Sequence, residues 1–186
     1  MKILESEREV IKMAEPTDIT FKICNVRVNC RAVAIILNEG NILFQKRETD
    51  SVWALPGGKI AILEKGKDTI NRELNEEIGE PVEVSNLYNV EENFFEYKGE
   101  QFHEYMFLYI AKLKENSDLK YEKFFDGVEK QKHLKFAWFN KEELDEYNIV
   151  PVEIKDTLKE IIDTKEQNVV KLKIRRWFSW KKKILM

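Results

Sequence analysis

Two spacings of apolar residues alternate along this chain. Between residues 21 and 47 the period is two: FKICNVRV alternates, AVAIIL (32–37) is apolar on both faces, and ILFQKR (42–47) follows the turn NEGN. A run that is apolar on both faces predicts the central strand of a covered sheet, and the second run predicts its neighbour. WALPGG (53–58) breaks the pattern as a loop. From 67 to 78 the spacing becomes four, through Ile70, Leu74 and Ile78, which predicts a helix stopped by Gly79 and Pro81. Period two returns in VEVSNLYNVEENFFEY and QFHEYMFLYIAKL, a long hairpin turning at KGE (98–100). Residues 114–133 read as a polar loop, LKFAWF (134–139) as a further strand, and Asn140 as the cap of a short helix containing EELDEY. After Pro151, Ile154, Leu158, Ile161 and Ile162 recur at helical spacing, and residues 3–14 predict a short peripheral helix ended by Pro16. Strands interleaved with helices predict an α/β fold, with a mixed β-sheet between helices.

Length and composition narrow this to one domain. A chain of 186 residues buries a sizeable core, and 43% hydrophobic with 35% charged residues argues for a soluble globular protein without extensive disorder. The N-terminus has no apolar signal region, and AVAIIL is too short to cross a bilayer. Cys24 and Cys30 fall in one extended stretch, roughly 20 Å apart, beyond disulfide reach. Two lone cysteines make no zinc site either, so reduced thiols in a cytoplasm are expected. The net charge of −3 conceals an asymmetry: residues 165–186 carry eight Lys and Arg against Glu166 alone, leaving the rest acidic. The organisation expected is an N-terminal helix or arm (1–20), a domain (21–164) and a basic, aromatic C-terminal extension (165–186). Two uses of that extension, with its Trp177, Phe178 and Trp180, stand open: docking on an anionic membrane or nucleic acid, or folding back on the acidic body or a second subunit.

The predicted helix 67–78 carries the chemistry. Glu73, Glu76 and Glu77, at i, i+3 and i+4, border its apolar stripe instead of lying opposite it. A solvated glutamate face, with Arg72 pairing Glu76 at i,i+4, is the ordinary alternative. Crowded, partly buried carboxylates repel one another, and a hard divalent cation with oxygen ligands reverses that cost. Four of the seven glycines (Gly57, Gly58, Gly66, Gly79) crowd into residues 57–79, and Gly57 and Gly58 allow close backbone approach to a ligand.

Gly58, Glu64, Arg72-Glu73-Leu74, Glu76-Glu77 and Gly79, at their spacing, resemble the Nudix box. Trp53-Ala54-Leu55-Pro56 before it and Ala137-Trp138-Phe139 after it are similar to the family's flanks, so the resemblance covers about 21–164. Two departures stand out. Ala61-Ile62-Leu63-Glu64 replaces the usual Glu-x-Gly-Glu, and Glu80 stands where the motif ends on an apolar residue. The resemblance implies an α/β/α sandwich and Mg²⁺- or Mn²⁺-dependent hydrolysis of a nucleoside diphosphate linked to another group, of nucleotide-sugar, ADP-ribose or nucleoside-triphosphate type. It implies Glu73, Glu76 and Glu77 as metal ligands, with the Gly57 carbonyl as a further one. Glu73 or Glu76 alternatively orients the water, Arg72 positions the carboxylates, and Glu64 fixes the turn with a secondary metal role. Glu129 is the candidate general base, with Asp126 and Glu122 competing. Arg31 and Arg47 are candidate phosphate contacts. Phe94, Phe95, Tyr97, Phe102 and Tyr105 supply either a stacking surface for a nucleobase, with Phe95 the candidate, or core and homodimer packing. His103 and His133 read as structural. The rival function is a Nudix-fold nucleotide-binding module without turnover.

Overall fold

The computed structural model describes residues 17–164; the expected N-terminal helix and the basic extension lie outside the described residues. The spine of the domain is a long strand. β1 (Thr20–Ile23) turns into β2 (Val26–Asn38), which pairs in parallel with β6 (Glu100–Lys112) from Val26 to Ile36. Along its other edge β2 meets three strands in succession: β1, then β4 (Gly57–Lys59), then the start of β3 (Asn41–Arg47). The sheet continues from β3 to β8 (Leu134–Phe139) and β7 (Phe124–Asp126), and β5 (Glu83–Tyr97) lies outside β6. It is mixed, as expected, because the β2–β6 pair is parallel while its neighbours are antiparallel.

The alternation along β2 explains the two faces. Ala32, Ala34 and Ile36 pack with Ile70, Leu74 and Ile78 of α1 (Gly66–Ile78). Val33, Ile35 and Leu37 point the other way, into a core with Leu144 of α2 (Glu143–Glu146) and Leu158 and Ile161 of α3 (Ile154–Asp163). Residues 32–37 are buried throughout because both faces of the sheet are covered. Asn140 caps α2 as expected: its Oδ1 accepts the Glu143 N–H at 3.0 Å, while the Glu143 carboxylate accepts the Asn140 N–H at 2.9 Å.

Four expectations change. The stretch holding both cysteines is not continuous: Cys24, at φ 52°, sits in the turn between β1 and β2, and both thiols are free. β3 pairs with β2 only at Leu37–Ile42 and Asn38–Asn41, then runs along β8 over Ile42–Arg47, because β4 takes the edge of β2. The stretch 114–133 is not wholly a loop. It holds a short 3-10 turn at Asp118–Tyr121 and strand β7, which pairs with β8. The hairpin aromatics do not enter the core: Phe94 is 68% exposed, and Phe95 stacks on Phe102 across the hairpin at 4.8 Å. Among the described residues no helix is long and apolar enough to cross a membrane.

Candidate active site

The site forms where α1 runs behind β4. Gly58 lies directly beneath Glu73: a Cβ at position 58 would come within 2.2 Å of the Glu73 carboxyl carbon. Gly57, at φ +138°, has no room either, since a Cβ would come within 2.2 Å of the Ala32 carbonyl oxygen. The glycine pair therefore lets a strand and a helix close on one another with a carboxylate between them.

Glu64 and Arg72 anchor the entry to α1. Glu64 Oε1 accepts Arg72 Nε at 2.8 Å; Oε2 accepts Arg72 Nη2 at 3.0 Å, Thr69 Oγ1 at 2.8 Å and the Ala61 N–H at 3.1 Å. The bidentate Arg72 pair is the main reason the Glu64 carboxyl falls to about 2. Arg72 reaches Glu76, its alternative partner at one turn's spacing, only loosely, with Oε2 3.9 Å away. Its guanidinium instead clamps Glu64 and reaches Glu73 Oε1 at 2.6 Å, and these carboxylates together hold it above its ordinary value. The Glu64 and Glu73 side chains are 15% and 12% exposed, whereas the Glu76 side chain is 46% exposed. The three helix glutamates are thus unequal.

Glu73 and Glu77 turn toward a loop that comes over the end of the helix. The loop is fastened by the Val128 N–H, which donates to the Glu77 carbonyl at 2.8 Å. It delivers Lys132, whose Nζ lies 3.3 Å from Glu73 Oε2, 3.3 Å from Glu77 Oε1 and 3.0 Å from Glu129 Oε2. The Glu77 side chain is only 4% exposed, and its Oε2 is buried without a hydrogen-bond partner. Burial pushes Glu77 up to about 7, with Glu73 adding to the shift and Lys132 and Arg31 opposing it. Burial disfavours the Lys132 ammonium, but the facing Glu129, Glu77 and Glu73 outweigh it and hold Lys132 above its ordinary value.

Most of the residues singled out in the sequence meet here. Arg31 Nη2 donates to the Gly57 carbonyl at 2.9 Å, so the proposed carbonyl ligand and a proposed phosphate contact are already hydrogen-bonded to one another. Glu129 joins the cluster through Lys132, whereas Asp126 pairs with Lys135 at 2.7 Å and Glu122 is exposed. Arg47 ends β3 opposite Leu134, and Phe95 sits on the hairpin; neither contacts the carboxylate cluster among the described residues. Lys132 was missed. Its only sequence signal is a place three residues after Glu129, which has no meaning until the loop is folded.

The two departures from the motif are absorbed locally. Leu63, in place of glycine, adopts φ 65° and is 98% exposed, so the left-handed turn is kept with the side chain projecting into solvent. Glu80 accepts a hydrogen bond from the buried Ser117 hydroxyl, which gives the acid a partner where an apolar residue would need none.

Divalent-cation chemistry finds a partial fit. Two carboxylates converge, one oxygen is buried and unpartnered, and a carbonyl lies on the adjoining strand. Among the described residues no three His, Cys, Asp or Glu side chains are gathered closely enough to hold one ion. The Lys132 ammonium stands among the acids. A cleft of about 540 Å³ opens elsewhere on the sheet, lined by Lys46, Trp53, Phe124, Phe125, Asp126, Lys135 and Phe136. None of the clustered glutamates lines it, but Asp126 leads directly into the loop bearing Glu129 and Lys132.

Among solved structures, a UDP-X diphosphatase superposes with a TM-score of 0.52 at 20% identity, over 90% of this chain and 70% of that one. A MutT protein from Methanosarcina mazei Go1 gives 0.51 at 22% identity, over 73% and 93%. A MutT protein from Bacillus halodurans gives 0.52 at 20% identity, over 72% and 82%. At these identities the similarity speaks to the fold. No curated protein matches the chain. Residues 28–163 match the NUDIX domain, a span that holds β4, α1 and the loop delivering Lys132, and on that match the chain belongs to the Nudix hydrolase family.

Proposed function

We propose that this Nudix hydrolase, whose family cleaves pyrophosphate linkages, acts on a nucleoside diphosphate linked to a second moiety, with Mg²⁺ or Mn²⁺ as cofactor. The observation that carries this reading is Glu77: a buried carboxylate with an unpartnered oxygen, one helical turn from Glu73 and facing the same point. Burying such a group is costly unless a cation completes it. Glu73 and Glu77 would hold the ion, with Glu76 and the Gly57 carbonyl as further donors. Bound there, a divalent cation neutralises the diphosphate and lowers the pKa of a coordinated water. Glu64 has no role toward the metal in this reading, because its oxygens already accept four donors from the chain. Arg72 fixes Glu73 by direct contact. Glu129, across the Lys132 ammonium from both helix acids, is the side chain offered to the attacking water as general base. Arg31 orients the Gly57 carbonyl, and the cleft between Trp53 and Phe124, flanked by Lys46 and Lys135, offers rings and positive charge to the organic part of a substrate.

A panel of UDP-linked sugars, ADP-ribose, dinucleoside polyphosphates and nucleoside triphosphates, incubated with Mg²⁺ and resolved by anion-exchange chromatography, tests this. The expected result is a nucleoside monophosphate from at least one of them. Tight nucleotide binding without any product would instead establish a binding module.

A further inference from the structure

A lysine occupies the centre of the acidic pocket. Its Nζ is within 3.3 Å of carboxylate oxygens from Glu73 and Glu77 on α1, and 3.0 Å from Glu129 on its own loop. The placement is built by the backbone. Lys132 N–H donates to the Glu129 carbonyl at 3.2 Å, a turn that brings the acid and the ammonium to the same side, and the loop is fastened to the end of α1 through Val128. Gly127 allows this approach, since a Cβ there would meet the Glu77 carbonyl oxygen at 3.0 Å. The lysine side chain keeps 31% of its surface exposed, so a route to solvent stays open to it.

We propose that the Lys132 ammonium is the resident counter-ion of this pocket, and that it competes with the divalent cation for the Glu73 and Glu77 oxygens, so that metal enters only as Lys132 leaves. This rests on the metal-dependent reading above and adds a specific antagonist to it. An ion held by Glu73 and Glu77 would stand beside the same oxygens the ammonium now contacts, and two cations at that separation in a half-buried site repel. Lys132 is suited to the exchange because its charge is a compact ammonium on a flexible four-carbon stem, free to re-form its contacts with solvent or with substrate phosphates. With the ammonium withdrawn, Glu129 is released as well, which couples metal entry to freeing the proposed base.

Mn²⁺ binding to the full chain, followed by calorimetry and by the electron paramagnetic resonance of the free ion, tests the competition. Lys132→Gln should bind Mn²⁺ at least about fivefold more tightly than wild type, the scale of an ordinary coupling between two sites. Lys132→Arg, which keeps the charge, should bind no more tightly than wild type. Equal or weaker binding by Lys132→Gln would overturn the proposal. A second readout needs no variant: the ¹³Cε resonance of Lys132 in the wild-type chain should shift on addition of Mg²⁺, and an unmoved signal would overturn it too. Wild-type protein that binds Mn²⁺ and cleaves a nucleotide while Lys132→Gln binds no better removes only the competition. Absence of Mn²⁺ binding in both proteins removes the metal-dependent reading along with it.

Discussion

Glu64 and Glu77 stand thirteen positions apart in one motif, and the fold treats them in opposite ways. Glu64 is wrapped by donors and driven down to about 2; Glu77 is buried with one oxygen unpartnered and driven up to about 7. The first is an acid satisfied by its own chain, and so it contributes stability. The second is left unsatisfied, at a cost in stability, and is thereby available to a cation. A motif of acids is thus two devices: a clamp at the entry to α1 and, at its far end, the buried carboxylate proposed to hold the cation.

The largest effect should come from removing the second device. Glu77→Gln is expected to lower kcat by roughly a hundredfold or more, the scale seen when metal-site residues are removed. Its metal-free stability in urea should be unchanged or higher, since a buried charge is lost. Retained turnover would break the comparison. Next, Arg72→Met leaves Glu64 without its bidentate partner and should cost about 2–3 kcal/mol at neutral pH by urea denaturation. A loss within experimental error would show that the clamp is ornamental.

The pH dependence should run in opposite directions for the two acids. Glu77 binds its proton more tightly folded than unfolded, so its contribution is full below the ordinary 4.5 and is lost as pH rises through about 7. Metal-free stability should therefore fall by about 2 kcal/mol between pH 5 and 8, and Glu77→Gln should flatten that slope. Glu64 holds its proton less tightly folded. Its contribution is present above 4.5 and lost as pH falls through about 2, so Glu64→Gln should flatten the acid limb instead. The smallest effect is local: Leu63→Gly relieves a left-handed leucine and should raise stability by about 1 kcal/mol in the same urea assay, with turnover unchanged.

The sequence carried the parts of this structure that depend on period. The stripe Ile70–Leu74–Ile78 and the run 32–37 predict α1 and β2 because burial on one or two faces is written directly into residue spacing. What escaped depends on contacts between distant segments. Helix geometry brings Arg72 to 3.9 Å from Glu76, but no helical spacing records that Glu64, eight residues back in the turn, offers a two-oxygen fork to the same guanidinium. β3 was paired with β2 through the intervening turn, yet β4 displaces it, a competition no local pattern records. Lys132 sits among alternating charges in EKQKH, indistinguishable from a solvated lysine until Val128 fastens its loop to α1. The hairpin aromatics show the converse: their alternation predicts β5 and β6 correctly while saying nothing about what the exposed rings face.

Gly58 is where the pocket is open to damage from a residue with no chemistry of its own. It bears no acid, no donor side chain and no charge, and a tally of functional groups would rank it as expendable. Yet the space above its Cα belongs to Glu73, so even a methyl group there would meet that carboxylate at 2.2 Å and push it off the pocket. A replacement at residue 58 should therefore be scored as a change at residue 73.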